Sequence, residues 1–130
     1  MMTEVNTGKI LIVDDEKVVC MGFERVLAEA GYEVDSAMNG SEAIAKAKEK
    51  DYDIAFIDLI LPAMNGVEVC RAIKKIKPEM TLIFMTGKLD TDPIGREVEF
   101  VEAGGKTYSF YKPFGAEEIL EVTRKAISER

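Results

Sequence analysis

Short apolar runs rich in β-branched and aromatic residues alternate with longer amphipathic stretches along the whole chain, and this alternation leaves few architectures open. The runs are KILIV (9–13), EVDSA (33–37), IAFID (54–58), TLIFM (81–85) and YSFY (108–111). Each is too short to stand as a helix and carries residues that pack well on a pleated surface, so each is predicted as a strand. Several are apolar throughout, as strands covered on both faces must be. Strand–helix repeats of this kind give the α/β class: a five-stranded parallel sheet flanked by five helices. Right-handed crossovers with strand order 2-1-3-4-5 set the first, third and fourth strands side by side, with the fifth at an edge.

The stretches between the strands carry the helical period. Val19, Phe23, Val26, Leu27 and Ala30 repeat at helical spacing and stop at Gly31, a residue suited to ending a helix. Ser41 is the expected cap of a second helix with Ala43, Ile44 and Ala47 facing inward, while Val69, Cys70, Ile73 and Ile76 form a third stripe that ends at Pro78. Asp92-Pro93 starts a fourth, with Ile94, Val98 and Val101 expected in the core. The segment GAEEILEVTRKAISER (115–130) is a fifth, acidic near its start and basic near its end, as the helix dipole prefers.

A chain of 130 residues, 47% hydrophobic, suffices for one compact domain and leaves little room for a second. Residues 1–8 read as an N-terminal tail and 9–130 as the domain; a free-standing domain and a piece of a longer regulator both stay open. The formal charge of -7 repels phosphate backbones and anionic lipid, which argues against direct nucleic-acid or membrane partners. The N-terminus has no basic-then-apolar leader and no apolar run approaches the roughly 20 residues that cross a bilayer, so a cytoplasmic location is expected. Cys20 and Cys70 are far apart, and with no His in the chain they cannot be half of a Cys/His zinc site. Both are expected as buried free thiols.

In parallel α/β sheets the working crevice lies beyond the carboxyl ends of the strands. Asp14 and Asp15 follow the first strand, Asp58 closes the third, Thr86 follows the fourth and Lys112 the fifth. Taken singly, an Asp before a helix is a cap and an Asp at a strand end is a turn former. Jointly, three carboxylates at one rim repel one another unless a cation neutralises them. All-oxygen ligands select a hard cation, and a partly hydrated one shared with phosphate suits Mg²⁺. Mg²⁺, the Lys112 ammonium and the Thr86 hydroxyl would then surround the oxygens of a transferring phosphoryl group. With no His and no paired Ser or Cys nucleophile, a carboxylate is the best acceptor. Asp58, central among these groups, is the choice, giving an aspartyl phosphate.

These residues carry a family resemblance. VDDE (13–16), DLILPAMNG (58–66), MTG (85–87) and YKPF (111–114) stand in order at the right strand ends, and the chain from about Lys9 onward resembles the receiver domain of two-component response regulators, chemotaxis regulators included. The resemblance implies a flavodoxin-like doubly wound fold with Asp58 as phosphoacceptor. It also implies Mg²⁺ bound directly by Asp15, Asp58 and the main-chain carbonyl of Ile60, with Asp14 helping through water. It further implies a histidine kinase or phosphotransfer protein as donor, a downstream protein or output domain as target, and a phosphoprotein that is no enzyme beyond catalysing its own phosphorylation and dephosphorylation. Thr86 and Lys112 would respond to the phosphate, and Gly87 would leave room for it. Monomer and phosphorylation-linked homodimer stay open.

The sequence departs from that pattern between Thr86 and Lys112, where a segment a few residues longer than usual falls on the output face. The aromatic residue expected three before the lysine is Ser109, flanked by Tyr108 and Tyr111, so whether Tyr108, Ser109 or neither acts as the switch is left open. Ile60 and Lys88 are placed near the phosphate by the same analogy. A degenerate receiver serving only as a protein-interaction module is the alternative, as is a Mg²⁺-dependent phosphohydrolase with an aspartate nucleophile, although that class carries a second Asp two positions on, where Ile60 stands. GGKT (104–107) is not a P-loop: the Gly required before it is Phe100, and it leads into a strand. A flavin carrier would need a neutral phosphate loop where this chain is acidic.

Overall fold

The computed structural model describes residues 8–85, 93–106 and 115–129, with the side chains of 93–96 outside the description. Within these residues four strands, β1 (Lys9–Val13), β2 (Glu33–Ala37), β3 (Ile54–Asp58) and β4 (Thr81–Met85), alternate with α1 (Lys17–Glu29), α2 (Gly40–Glu49) and α3 (Gly66–Ile76), followed by α4 (Pro93–Glu102) and α5 (Ala116–Ser128). All strand pairs are parallel and the order is β2-β1-β3-β4, which agrees with the first four positions of the expected arrangement.

Four strands are described where five were expected, because the expected fifth, 108–111, lies outside the described residues. The chain does reach its place. Lys106 N–H donates to the Leu82 carbonyl over 2.7 Å and Phe84 N–H donates back to Lys106 over 3.4 Å, a parallel bridge on the free side of β4.

The alternation of side chains along each strand divides the core in two. Leu11, Val13, Ala55, Ile57, Leu82 and Phe84 face the side covered by α2, α3 and Phe100 of α4. Ile10, Ile12, Ile54, Phe56, Ile83 and Met85 face the side covered by α1 and α5. Strands buried on both faces need apolar residues at every position, which accounts for the unbroken runs. Cys20 and Cys70 are buried free thiols, as expected, and burial pushes the Cys70 thiol up to about 11.

Two expectations are corrected. α2 is capped not by Ser41, which is exposed in its first turn, but by Asn39, whose side chain accepts from Glu42 N–H over 2.8 Å while Glu42 accepts from Met38 N–H over 2.7 Å. Asn39 holds the extended backbone a cap requires. On α4, Val98 and Val101 are not core residues but 53% and 49% exposed. The sheet-facing line belongs to Phe100, fully buried, whose ring centroid lies 5.7 Å from that of Phe84. At about 100° per residue, fixing Phe100 inward turns both valines away. Ile94, the third residue expected there, has a side chain outside the described set.

Candidate functional site

The parallel register decides what meets at the rim. Val13 pairs with Ile57, so the residues that follow, Asp14 and Asp58, leave adjacent strands side by side. Asp58 in turn pairs with Met85 at the end of β4. Crossover topology thus makes neighbours of residues 44 positions apart.

Asp14 prolongs β1 by donating its N–H to the Ala37 carbonyl over 3.0 Å, and its side chain is fully buried. The Glu16 N–H donates to Asp14 Oδ1 over 2.8 Å, folding the start of α1 over the strand end. Asp58 is 5% exposed. Ile60 N–H donates to its Oδ1 over 3.1 Å, and Leu59 N–H donates to Met85 over 3.3 Å. Both acids are therefore oriented by backbone groups that the loops themselves supply.

The stretch DLILPAMNG has a local physical reading in this loop. Asn65 caps α3 by accepting from Glu68 N–H over 2.9 Å, and Glu68 accepts from Asn65 N–H over 3.1 Å, a complete capping box. Gly66 N–H donates to the Leu59 carbonyl over 2.9 Å, which closes the loop against the end of β3. Ala63 takes up the turn at φ 64.

Asp14, Glu16 and Asp58 each bring one carboxylate oxygen to within 4.8 Å of the others. At such a separation two unit charges repel by about 3 kcal/mol at an effective dielectric near 20, so the cluster favours a cation. Its donor set fits magnesium: oxygen ligands only, no His in the chain, and no thiolate among the three.

The expected residues fare unequally. Asp14 and Asp58 meet as anticipated. Asp15 is exposed and is not one of the three. Ile60 lies next to Asp58 through its backbone, with its side chain 45% exposed. Thr86, Gly87, Lys88, Tyr108, Ser109, Tyr111 and Lys112 lie outside the described residues. Glu16, the third carboxylate of the group, was not singled out in the sequence although VDDE displays it.

Comparison with known proteins gives one answer. Residues 10–124 match the family described as response regulator receiver domain. The chain is 38% identical over 119 residues to the transcriptional regulatory protein ResD of Bacillus subtilis, covering 92% of this chain and 48% of that protein. It is 34% identical over 118 residues to the chemotaxis protein CheY of Thermotoga maritima, covering 90% and 95%. The crystal structure of a CheY-like receiver domain protein from Methanospirillum hungatei superposes with a TM-score of 0.87 at 30% identity, covering 95% of this chain and 96% of that one. The chain spans about half the length of ResD and of the Staphylococcus aureus response regulator ArlR.

Proposed function

Because this chain belongs to the response regulator receiver domain family, the class of phosphorylation-dependent signalling switches, we propose that Asp58 is its phosphoacceptor and that the acidic rim of Asp14, Asp15 and Asp58, beside which Glu16 also lies, is its magnesium site. The observation that carries the reading is the burial of Asp58 at the carboxyl end of β3 in the direct company of two further carboxylates. A lone strand-end Asp needs no such neighbours.

The donor is a phosphohistidine of a kinase or phosphotransfer protein. An Asp58 oxygen forms a bond to phosphorus as the bond from phosphorus to the donor imidazole nitrogen breaks, and that nitrogen keeps the electron pair. Ile60 N–H, already hydrogen-bonded to Oδ1, holds the carboxylate so that its other oxygen can attack. When bound, the cation supplies positive charge to the transferring phosphoryl oxygens. Asp15, Asp58 and the Ile60 carbonyl are assigned as its direct ligands, with Asp14 helping through water. Lys112 neutralises phosphoryl charge and Thr86 donates its hydroxyl to the aspartyl phosphate. Hydrolysis of that bond resets the protein, which makes the chain a self-modifying switch and not an enzyme acting on other substrates.

The charge gained on Asp58 shifts a pre-existing equilibrium in the face that carries α4. The surface altered in this way is read by a downstream protein or output domain, or by a second copy of the chain. Residues 9–130 form the receiver unit and 1–8 its tail, with the cytoplasm as its site of action; no described helix is long and apolar enough to cross a membrane.

The test is intact mass after incubation with acetyl phosphate and Mg²⁺. The wild type is expected to gain one phosphoryl group and Asp58→Asn none, with unchanged circular dichroism. A wild type that stays unmodified, or a variant that still gains the group, overturns the assignment.

A further inference from the structure

We propose that Lys46 and Glu42 of α2 close the open edge of the sheet in place of a further strand, and that they keep β2 from pairing there with β2 of a second copy of the chain. β2 stands at the end of the strand order, with β1 on one side and, among the described residues, no strand on the other. A strand left in this way carries a row of N–H and C=O groups that another strand can take up.

The ladder decides which groups those are. Glu33 N–H donates to the Gly8 carbonyl over 3.0 Å, and the Ala37 carbonyl accepts from Asp14 N–H over 3.0 Å, so residues 33, 35 and 37 turn their backbone groups toward β1. In a parallel pair the residues between them turn theirs the other way. Val34 and Ser36 therefore face the open edge, and Met38 continues the same line just past the strand. Two of these groups are already occupied. Lys46 Nζ donates to the Ser36 carbonyl, and Met38 N–H donates to Glu42 Oε1 over 2.7 Å.

Both contacts come from one helix. Positions 42 and 46 lie a turn apart and share a face of α2, while Ala43 and Ala47 beside them are buried in the core against the sheet. One side chain fills an acceptor and the other a donor, so an incoming strand finds neither. Charge along β2 does less of this work, because Lys50 bridges Glu33 and Asp35 and offsets the acids that would repel a copy. The partner that fits the edge is β2 itself: two identical edge strands meet antiparallel across a twofold axis, and each satisfies the other.

The test replaces both contacts at once in the full chain, Glu42→Met with Lys46→Met, which leaves the net charge unchanged. Light scattering over a concentration series is expected to show a mass rising above that of the wild type toward twice the monomer. Exchange of the Val34 and Ser36 N–H groups is expected to slow by about tenfold or more over the same series. Lys48→Met with Glu49→Met adds the same apolar surface at two exposed positions of α2 and is expected to match the wild type, as is Lys46→Arg, which keeps a donor. A double variant that stays at the wild-type mass, or associates while Val34 and Ser36 exchange as fast as before, overturns the proposal. So does equal association in the Lys48 and Glu49 variant, since added apolar surface would then suffice, or in Lys46→Arg. Should thermal melts show the double variant unfolded, Lys46→Met alone is measured in the same way: a smaller rise in mass with slowed Ser36 exchange supports the proposal, and no change in either overturns it.

Discussion

Gly66 lies so close to Asp58 that a Cβ on it would stand 2.5 Å from the Asp58 carbonyl oxygen and 2.8 Å from the Leu59 Cα. Both are backbone atoms at the end of β3, so neither can swing aside. The Gly of the loop is thus tied to the acceptor by sterics and not by turn conformation. Gly66→Ala should cost about 1–3 kcal/mol, the range for forcing atoms into filled space, and should also slow phosphorylation from acetyl phosphate, because the displaced backbone carries Asp58. Urea unfolding and the rate of mass gain measure the two effects. A variant with an unchanged midpoint and rate would show that the loop moves freely.

Ala63, at φ 64, occupies the left-handed region within the same loop. An L-residue there costs roughly 1–2 kcal/mol, whereas Gly costs about 0.5–1 kcal/mol in unfolded-chain entropy. Ala63→Gly should therefore raise stability by about 0.5–1 kcal/mol, the opposite sign to most Ala→Gly changes, and Ala63→Val should lower it. Denaturant midpoints at constant slope decide the matter.

Much of this was legible in the sequence, and the failures have identifiable causes. The spans KILIV, EVDSA, IAFID and TLIFM coincide with β1 to β4; β1, β3 and β4 show the apolar runs of strands covered on both faces, while EVDSA, at the end of the strand order and only half-buried, keeps polar residues. The phase of α4 was not legible: Ile94, Val98, Phe100 and Val101 spread apolar character around the helix, and a tertiary contact with Phe84 selects Phe100. Ser41 and Asn39 are both able caps, and only the backbone at 39 distinguishes them. At the rim, residue types and order foretold that Asp14 would meet Asp58. That Glu16, two residues on from Asp14, also brings a carboxylate oxygen within 4.8 Å of both depends on the fold of the turn into α1, which spacing cannot express.

The contact between α4 and the turn that follows it gives a coupling prediction. A Cβ on Gly105 would come within 2.0 Å of the Phe100 ring, so Gly105→Ala should cost about 1–3 kcal/mol, and Phe100→Ala about 3–5 kcal/mol by opening a cavity. In the double variant the new methyl enters the space the ring has left. Its loss should fall short of the sum of the single losses by about 1–3 kcal/mol, read from a double-mutant cycle in urea. Simple additivity would mean that the two residues are not in contact.

At the β2 edge of the sheet, the Tyr52 hydroxyl donates to Asp35 Oδ2 over 2.7 Å, and Lys50 Nζ donates to the same oxygen over 3.0 Å. The Tyr52 hydrogen bond first, and Lys50 after it, hold the Asp35 carboxyl below its ordinary 3.8 against the opposing effect of burial. Burial and the neighbouring Asp35 carboxylate push the Tyr52 phenol up. A carboxyl depressed in the folded state binds its proton more readily when unfolded, so its stabilisation is present above 3.8 and is lost as pH falls through the lower folded value. Tyr52→Phe removes the donor that is the largest single cause of the depression. It should cost about 1 kcal/mol at neutral pH, the ordinary net worth of such a hydrogen bond. Because the protonated Asp35 no longer gains from the phenol as an anion does, the gap between wild type and Tyr52→Phe should narrow steadily as pH drops below 3.8. Urea unfolding of both proteins from pH 7 to pH 3 measures it, and a gap that stays constant or widens toward acid would show that the Tyr52 hydroxyl acts on stability by some route other than the Asp35 carboxylate.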